Sequence, residues 1–241
     1  MSMEKNIAFS FDILELQWKD VVSCMKTNGQ AEFCINKFIP QRCKNALHRV
    51  TKVLRYSVDL FEYLLNERDN IKVVHLFRDP RAVINSRLET PWYKFPHDIA
   101  SNARALCNKM LHDSIEGERL LLKYPSKFMF LYYEDLNDKA VDKVKTLYRH
   151  LGMSDSPQNM QRIQDLPVFS AKNSNGSERE NNTALWWRKT LGWDIVQIVD
   201  TECAGVYKRL GFKHFKTEHE LRDVRIPSLD IPRKYRLSTG T

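Results

Sequence analysis

The chain has 241 residues, 42% of them hydrophobic and 11% aromatic. That is enough apolar surface for one large or two small packed domains, and it excludes a disordered or low-complexity chain. Thirty-eight Lys and Arg against 30 Asp and Glu leave a formal charge of +8, which favours nucleotides, sulfated or sialylated glycans, nucleic acid or membrane surfaces without choosing among them.

Glu4, Lys5 and Asp12 interrupt the apolar residues at the N-terminus and no run of 18 apolar residues occurs, so neither an anchor nor a signal peptide is expected in the residues present. Further on, Leu47, Val50, Leu54, Val58, Phe61 and Leu65 recur at three- and four-residue spacing and predict a one-sided helix over 46–65. The polar Glu67 to Asn70 turn then leads into a short β-branched and aromatic run, 71–77, read as a buried strand. Asp79-Pro80 follows as a helix start, because Asp accepts from orphan backbone N–H groups and Pro has no donor to waste in the first turn.

A long helix over 99–123 carries Ala103, Leu106, Met110 and Leu111 on one face, and Pro125 stops it before a second strand over 127–132. Helices are expected over 138–151, closed by Gly152, and over 193–210, with Trp193, Val196, Val199, Cys203, Val206 and Leu210 inward and Gly211 as the stop. Between them, 166–184 reads as an irregular exposed loop bearing the sequons at Asn175 and Asn181. Strands separated by long helices predict an α/β fold, a parallel sheet wrapped by helices. The domain is expected to cover 1–215, with a polar tail over 216–241.

A strand that delivers Arg78 to the start of a helix puts a guanidinium at the ligand-binding edge of a parallel sheet. A phosphate suits that place, since the helix N-terminus attracts anions and Arg78 adds a planar fork of charge-assisted donors. Ser86, about two turns along, adds a hydroxyl. A local Arg78–Asp79 ion pair is the plainer alternative. Glu134 and Asp135 read as caps of the next helix or as ion-pair partners of nearby Lys or Arg. Arg188, after Trp186 and Trp187, is either a surface Arg beside core aromatics or a residue that closes over a phosphate or sulfated sugar. The seven histidines show no ligand spacing, so no metal is expected, and His75 reads as a core histidine.

The stretch from Lys72 to Arg87, KVVHLFRDPRAVINSR, is similar almost residue for residue to the 3′-phosphate-binding segment of the Golgi carbohydrate sulfotransferases that act on galactose, N-acetylglucosamine and N-acetylgalactosamine. The resemblance continues through Tyr124-Pro125, Tyr133-Glu134-Asp135-Leu136, Leu151-Gly152, Trp187-Arg188, Cys203 and Leu210-Gly211-Phe212. It implies a P-loop-type sulfotransferase domain, disulfides, and 3′-phosphoadenosine 5′-phosphosulfate as co-substrate. Arg78 and Ser86 would hold the 3′-phosphate, with Asp79, Pro80, Arg81, Ala82, Val83, Ile84 and Asn85 lining the nucleotide and Arg188 a further contact. The implied reaction carries a sulfuryl group to a sugar hydroxyl, at C6 of galactose or a hexosamine, on a glycoprotein or proteoglycan glycan. The implied setting is the Golgi lumen, held there by an N-terminal membrane anchor outside this chain, with no nucleic-acid partner and a homodimer among the assemblies left open.

The family also carries a Gly/Ser-rich loop after its first strand for the 5′-phosphosulfate. None of the eight glycines opens such a loop. The leading strand and its loop are therefore expected to be missing, and the alternative expectation is an inactive chain that only binds the 3′-phosphate.

Overall fold

Residues 19–45 form two helices, α1 (Lys19–Asn28) and α2 (Ala31–Asn45), joined at Gly29, whose φ of 63° is the left-handed conformation that closes α1 at lowest cost to Gly. The computed structural model describes residues 19–54, 56–90, 98–138, 140–164 and 184–235, in two units divided after Arg55. In the first unit Val21, Met25, Cys34, Ile35 and Phe38 share an apolar cluster, and a Cys24–Cys34 disulfide ties α1 to α2. Cys43 is exposed and unbonded.

The helix expected over 46–65 is much shorter. Residues 46–54 are not helical, and Leu47 and Val50 are 90% and 87% exposed. Among the described residues of 46–65, the chain coils from 58 on, through a 3-10 turn (Val58–Phe61) into α3 (Glu62–Glu67), both in the second unit. The start is set by a distant partner: Asp113 Oδ1 accepts from Ser57 Oγ at 3.1 Å and from the Val58 N–H at 3.3 Å. A side chain remote in sequence supplies the cap that no local residue does.

Next come β1 (Val73–Phe77), α4 (Pro80–Leu88), α5 (Ile99–Lys123) and β2 (Phe128–Tyr132). The strands pair in parallel, Val73 opposite Phe128 through Phe77 opposite Tyr132, and parallel neighbours need a crossover such as α4 and α5 provide. This is the α/β arrangement that the alternating pattern predicts. β2 is buried throughout. β1 is not, contrary to expectation: Leu76 is 50% exposed while Phe77 is buried, as alternate side chains point to opposite faces. His75 packs among Phe77, Phe128 and Phe130, where burial lowers its pKa to about 4 and keeps it neutral.

Beyond β2 lie α6 (Asp135–Asp138), α7 (Ala140–Leu151), α8 (Pro157–Gln164), α9 (Trp187–Thr190), α10 (Trp193–Glu202), α11 (Ala204–Leu210) and α12 (Glu218–Arg222). Gly152 closes α7 at φ 70°, with the Met153 N–H bonded to Tyr148 O, as its sequence position predicts. The single helix expected over 193–210 is broken at Cys203, where φ −105° and ψ 8° leave helical geometry and a disulfide runs to Cys107 on α5. Of its inward residues, Val196, Val199, Cys203, Val206 and Leu210 are nonetheless buried and Trp193 is partly so.

The stretch expected to be a polar tail packs onto the second unit as far as it is described. Leu221 and Tyr235 are buried, and Phe212 bridges Leu229 in antiparallel fashion. Its polar residues stay outside while these few apolar ones turn inward, a sorting that low average hydrophobicity conceals. Both sequons lie outside the described residues.

Gly117 lets α5 approach β2. A Cβ there would lie 2.7 Å from the Phe130 ring, so Gly117→Ala should destabilise the protein by about 1–3 kcal/mol through overpacking, although Ala is the better helix former. Urea unfolding of the two proteins measures this, and a gain in stability would contradict the packing described.

Candidate functional site

Phe77 ends β1, and the chain turns at once into α4, so Arg78 and Asp79 occupy the whole turn. Asp79 is the N-cap of α4: its carboxylate accepts from the Arg81 N–H, and Pro80 takes the first helical position, as the Asp-Pro pair predicts. The backbone N–H of Asp79 donates to Glu134 Oε1 at 2.8 Å.

No Arg78–Asp79 pair is needed to hold the turn, because Asp79 belongs to Arg81. Arg81 Nε and Nη2 reach the two carboxylate oxygens at 3.0 and 2.8 Å. Its Nη1 bonds Asp200 Oδ1 at 3.2 Å and Lys213 O at 2.9 Å. The rings of Trp187, Tyr207 and Phe215 surround the guanidinium at 4.6 to 5.1 Å. Arg81 and Asp79 are respectively 0% and 1% exposed, so both brace the site from behind, as do the buried Pro80 and Ile84.

The opposite face of α4 is open. Ala82, Asn85, Ser86 and Glu89, spaced three and four apart, line a cleft of about 200 Å³ together with Arg78, Trp186 and Trp187. Of the residues expected from sequence, the structure brings Arg78, Ala82, Asn85 and Ser86 together there. The helix N-terminus contributes less than expected: the Arg81 N–H is taken by Asp79 Oδ1, the Val83 N–H by Asp79 O, and Pro80 has none. Anion attraction therefore rests on the Arg78 guanidinium, stacked 4.6 Å over Tyr133, and on the exposed Ser86 hydroxyl. Glu89 follows the helical spacing already visible in the sequence; Trp186 reaches the cleft only through the fold.

Arg188 is elsewhere. It is 0% exposed, and its guanidinium donates to the carbonyls of Leu221, Ile226, Glu220 and Asp223 at 2.7 to 3.1 Å, with Phe215 stacked at 4.6 Å. Glu220 and Leu221 belong to the last turn of α12, and Asp223 and Ile226 lie just beyond it; a cation caps carbonyls at such a helix end well. The sequence shows an Arg beside two Trp; it does not show that carbonyls more than 30 residues away converge on it. Arg188→Met should therefore cost about 2–4 kcal/mol of stability, because the carbonyls lose a charged donor. A variant with unchanged thermal unfolding would rule out this capping role.

Tyr133, Glu134 and Asp135 underlie the turn. Asp135 pairs with Lys143 Nζ at 3.1 Å. Burial, reinforced by the Asp79 carboxylate, raises Glu134 to about 8, so its neutral form is favoured and two adjacent anions are avoided. A carboxyl whose folded pKa exceeds its ordinary 4.5 contributes its full stability below that value and loses it as pH rises through about 8. Glu134→Gln, which keeps the acceptor for the Asp79 N–H, should flatten the fall in stability across that window. Chemical denaturation at pH 5 and pH 8 tests this, and parallel pH dependence in the two proteins would refute it.

Among the described residues no group of His, Cys, Asp and Glu has the arrangement of a metal site, and no helix is long and apolar enough to cross a membrane.

The chain is similar to known proteins over most of its length. Residues 15–190 match the family model described as Sulfotransferase domain. The chain is 28% identical over 214 residues to carbohydrate sulfotransferase 1 of Homo sapiens, covering 79% of this chain and 50% of that protein. It is 27% identical over 212 residues to carbohydrate sulfotransferase 1 of Danio rerio, with the same coverage of 79% and 50%. To carbohydrate sulfotransferase 6 of Homo sapiens it is 26% identical over 221 residues, covering 80% and 55%. The chain thus spans about half the length of these curated relatives. No solved structure matches it.

Proposed function

Because the chain belongs to the sulfotransferase domain family, we propose that it carries the nucleotide 3′-phosphate site of a carbohydrate sulfotransferase whose donor is 3′-phosphoadenosine 5′-phosphosulfate. The observation that carries this reading is the cleft in which Arg78 and Ser86 share one open face while Asp79, Arg81 and Glu134 hold the turn from behind. At about 200 Å³ it is smaller than the roughly 300–1,000 Å³ of whole-ligand pockets, and it suits a phosphate with its attached sugar better than an entire nucleotide. In this reading Arg78 binds the phosphate as a charge-assisted fork and Ser86 donates its hydroxyl.

The reaction proposed for the whole protein is an in-line displacement. A glycan hydroxyl oxygen, at C6 of galactose or a hexosamine, bonds to sulfur; the bond from sulfur to the phosphate oxygen breaks; 3′,5′-ADP leaves, and the hydroxyl proton passes to a base. The acceptor is a glycan of a glycoprotein or proteoglycan, and the compartment is the Golgi lumen. The Cys24–Cys34 and Cys107–Cys203 disulfides support an oxidising compartment. A second reading, nucleotide binding without transfer by this chain, is favoured by the lack of a Gly/Ser-rich phosphate loop among its eight glycines.

Arg78→Ala should weaken 3′,5′-ADP binding by about 1.5–3 kcal/mol, the worth of a hydrogen bond to a charged group, with thermal unfolding little changed. Titration calorimetry reads the affinity, and equal binding by the two proteins would remove the site assignment. Sulfate transfer to galactose- and hexosamine-terminated glycans then separates the two readings.

A further inference from the structure

The cleft is electrically lopsided. Arg78 stands before the first turn of α4 and Glu89 after its last, roughly 16 Å apart along the axis at about 1.5 Å per residue. A phosphate is drawn to the first end and repelled by the second. Glu89 is also held in place. Thr190 Oγ1 donates to Asn85 Oδ1 at 3.2 Å, and Asn85 Nδ2 donates to Glu89 Oε1 at 2.9 Å. Asn85 is only 6% exposed, so this relay runs from α9 through a nearly buried amide to the carboxylate. Glu89 Oε2 has no partner among the described residues and belongs to the cleft lining.

At that end a carboxylate held by Asn85, beside a hydroxyl (Ser86) and a partly exposed indole (Trp186), favours a part of the ligand that is itself uncharged, with O–H donors and an apolar face. We propose that the Glu89 end of the cleft is a subsite for a hydroxyl-bearing sugar ring, with Glu89 accepting from ring hydroxyls and Trp186 covering one face of the ring. The proposal rests on the nucleotide reading above and deepens it. Ser86 and Glu89 are three residues apart, so their Cβ atoms lie about 5–6 Å apart. A hydroxyl adjacent to a phosphate held by Ser86 therefore comes within reach of Glu89. The ribose of the nucleotide meets that condition, and a sugar of the acceptor glycan has the same chemistry.

Calorimetry on the full chain and its Glu89→Ala variant, with adenosine 3′-phosphate, 2′-deoxyadenosine 3′-phosphate, inorganic phosphate and N-acetyllactosamine as probes, distinguishes the sources. Glu89 is exposed, at the end of its helix, and its removal leaves the core intact. If the ribose occupies the subsite, the variant binds adenosine 3′-phosphate about tenfold more weakly, and the 2′-deoxy compound does not discriminate between the two proteins. If the acceptor occupies it, only N-acetyllactosamine affinity falls. Inorganic phosphate is not weakened in either case.

Unchanged affinity for every sugar-bearing probe overturns the subsite alone, provided Arg78→Ala still weakens the nucleotide. Failure of the unaltered chain to bind either the nucleotides or the glycan overturns the subsite and the underlying reading together. Binding of the glycan alone overturns the nucleotide reading and, with it, the proposal that rests on it.

Discussion

The Asp79 carboxylate and the Arg81 guanidinium meet out of contact with water, at the point where β1 gives way to α4. Burying two ions costs several kcal/mol each, and the cost is offset only where geometry and further bonds are good. Here Arg81 engages both carboxylate oxygens, Asp200, a main-chain carbonyl and three aromatic faces. Removing either partner would strand a charge in the interior, so the first turn of α4 has little room to shift. Arg78 lies between the last residue of β1 and this fixed cap, and its position at the cleft follows from theirs.

The other polar groups near the turn follow the same logic. Asp200, which pairs with Arg81, also accepts from the Tyr207 hydroxyl at 2.8 Å, which couples α10 and α11 to α4. Glu134 supports the Asp79 N–H from the β2 side, and its burial favours the neutral carboxyl so that a second anion does not compete for Arg81. The basic excess of the chain is therefore not one reservoir of ligand-binding charge. Arg81 and Arg188 are internal structural ties, one an ion-pair hub and the other a cap for main-chain carbonyls. Arg78 lines the cleft.

Much of this was legible in the order of residues. Asp79-Pro80 marked the start of α4, Gly152 and Gly211 marked helix ends, and the three- and four-residue spacing of Val196, Val199, Cys203, Val206 and Leu210 marked a buried stripe. The same rule misled at Leu47, Val50 and Leu54, because periodicity shows that a helix would be one-sided and not that a surface exists to cover it. Nor did spacing reveal the break at Cys203, which falls where a disulfide partner lies 96 residues away.

What the sequence by itself determined is local: two strands, a helix that begins at Pro80, a one-sided α5, and an Arg delivered to a sheet edge in a segment shared with carbohydrate sulfotransferases. These depend on neighbours a few positions apart, whose chemistry can be read in a line. Only the tertiary structure decided which arginine lines the cleft and which are buried, that Trp186 and Glu89 join Ser86, and that Leu221 and Tyr235 turn inward. Those outcomes depend on desolvation and on donors and acceptors remote in sequence, such as Lys213 O for Arg81 and Asp223 O for Arg188. A charged side chain takes its role from the partners that burial leaves it, and folding alone brings those partners into reach.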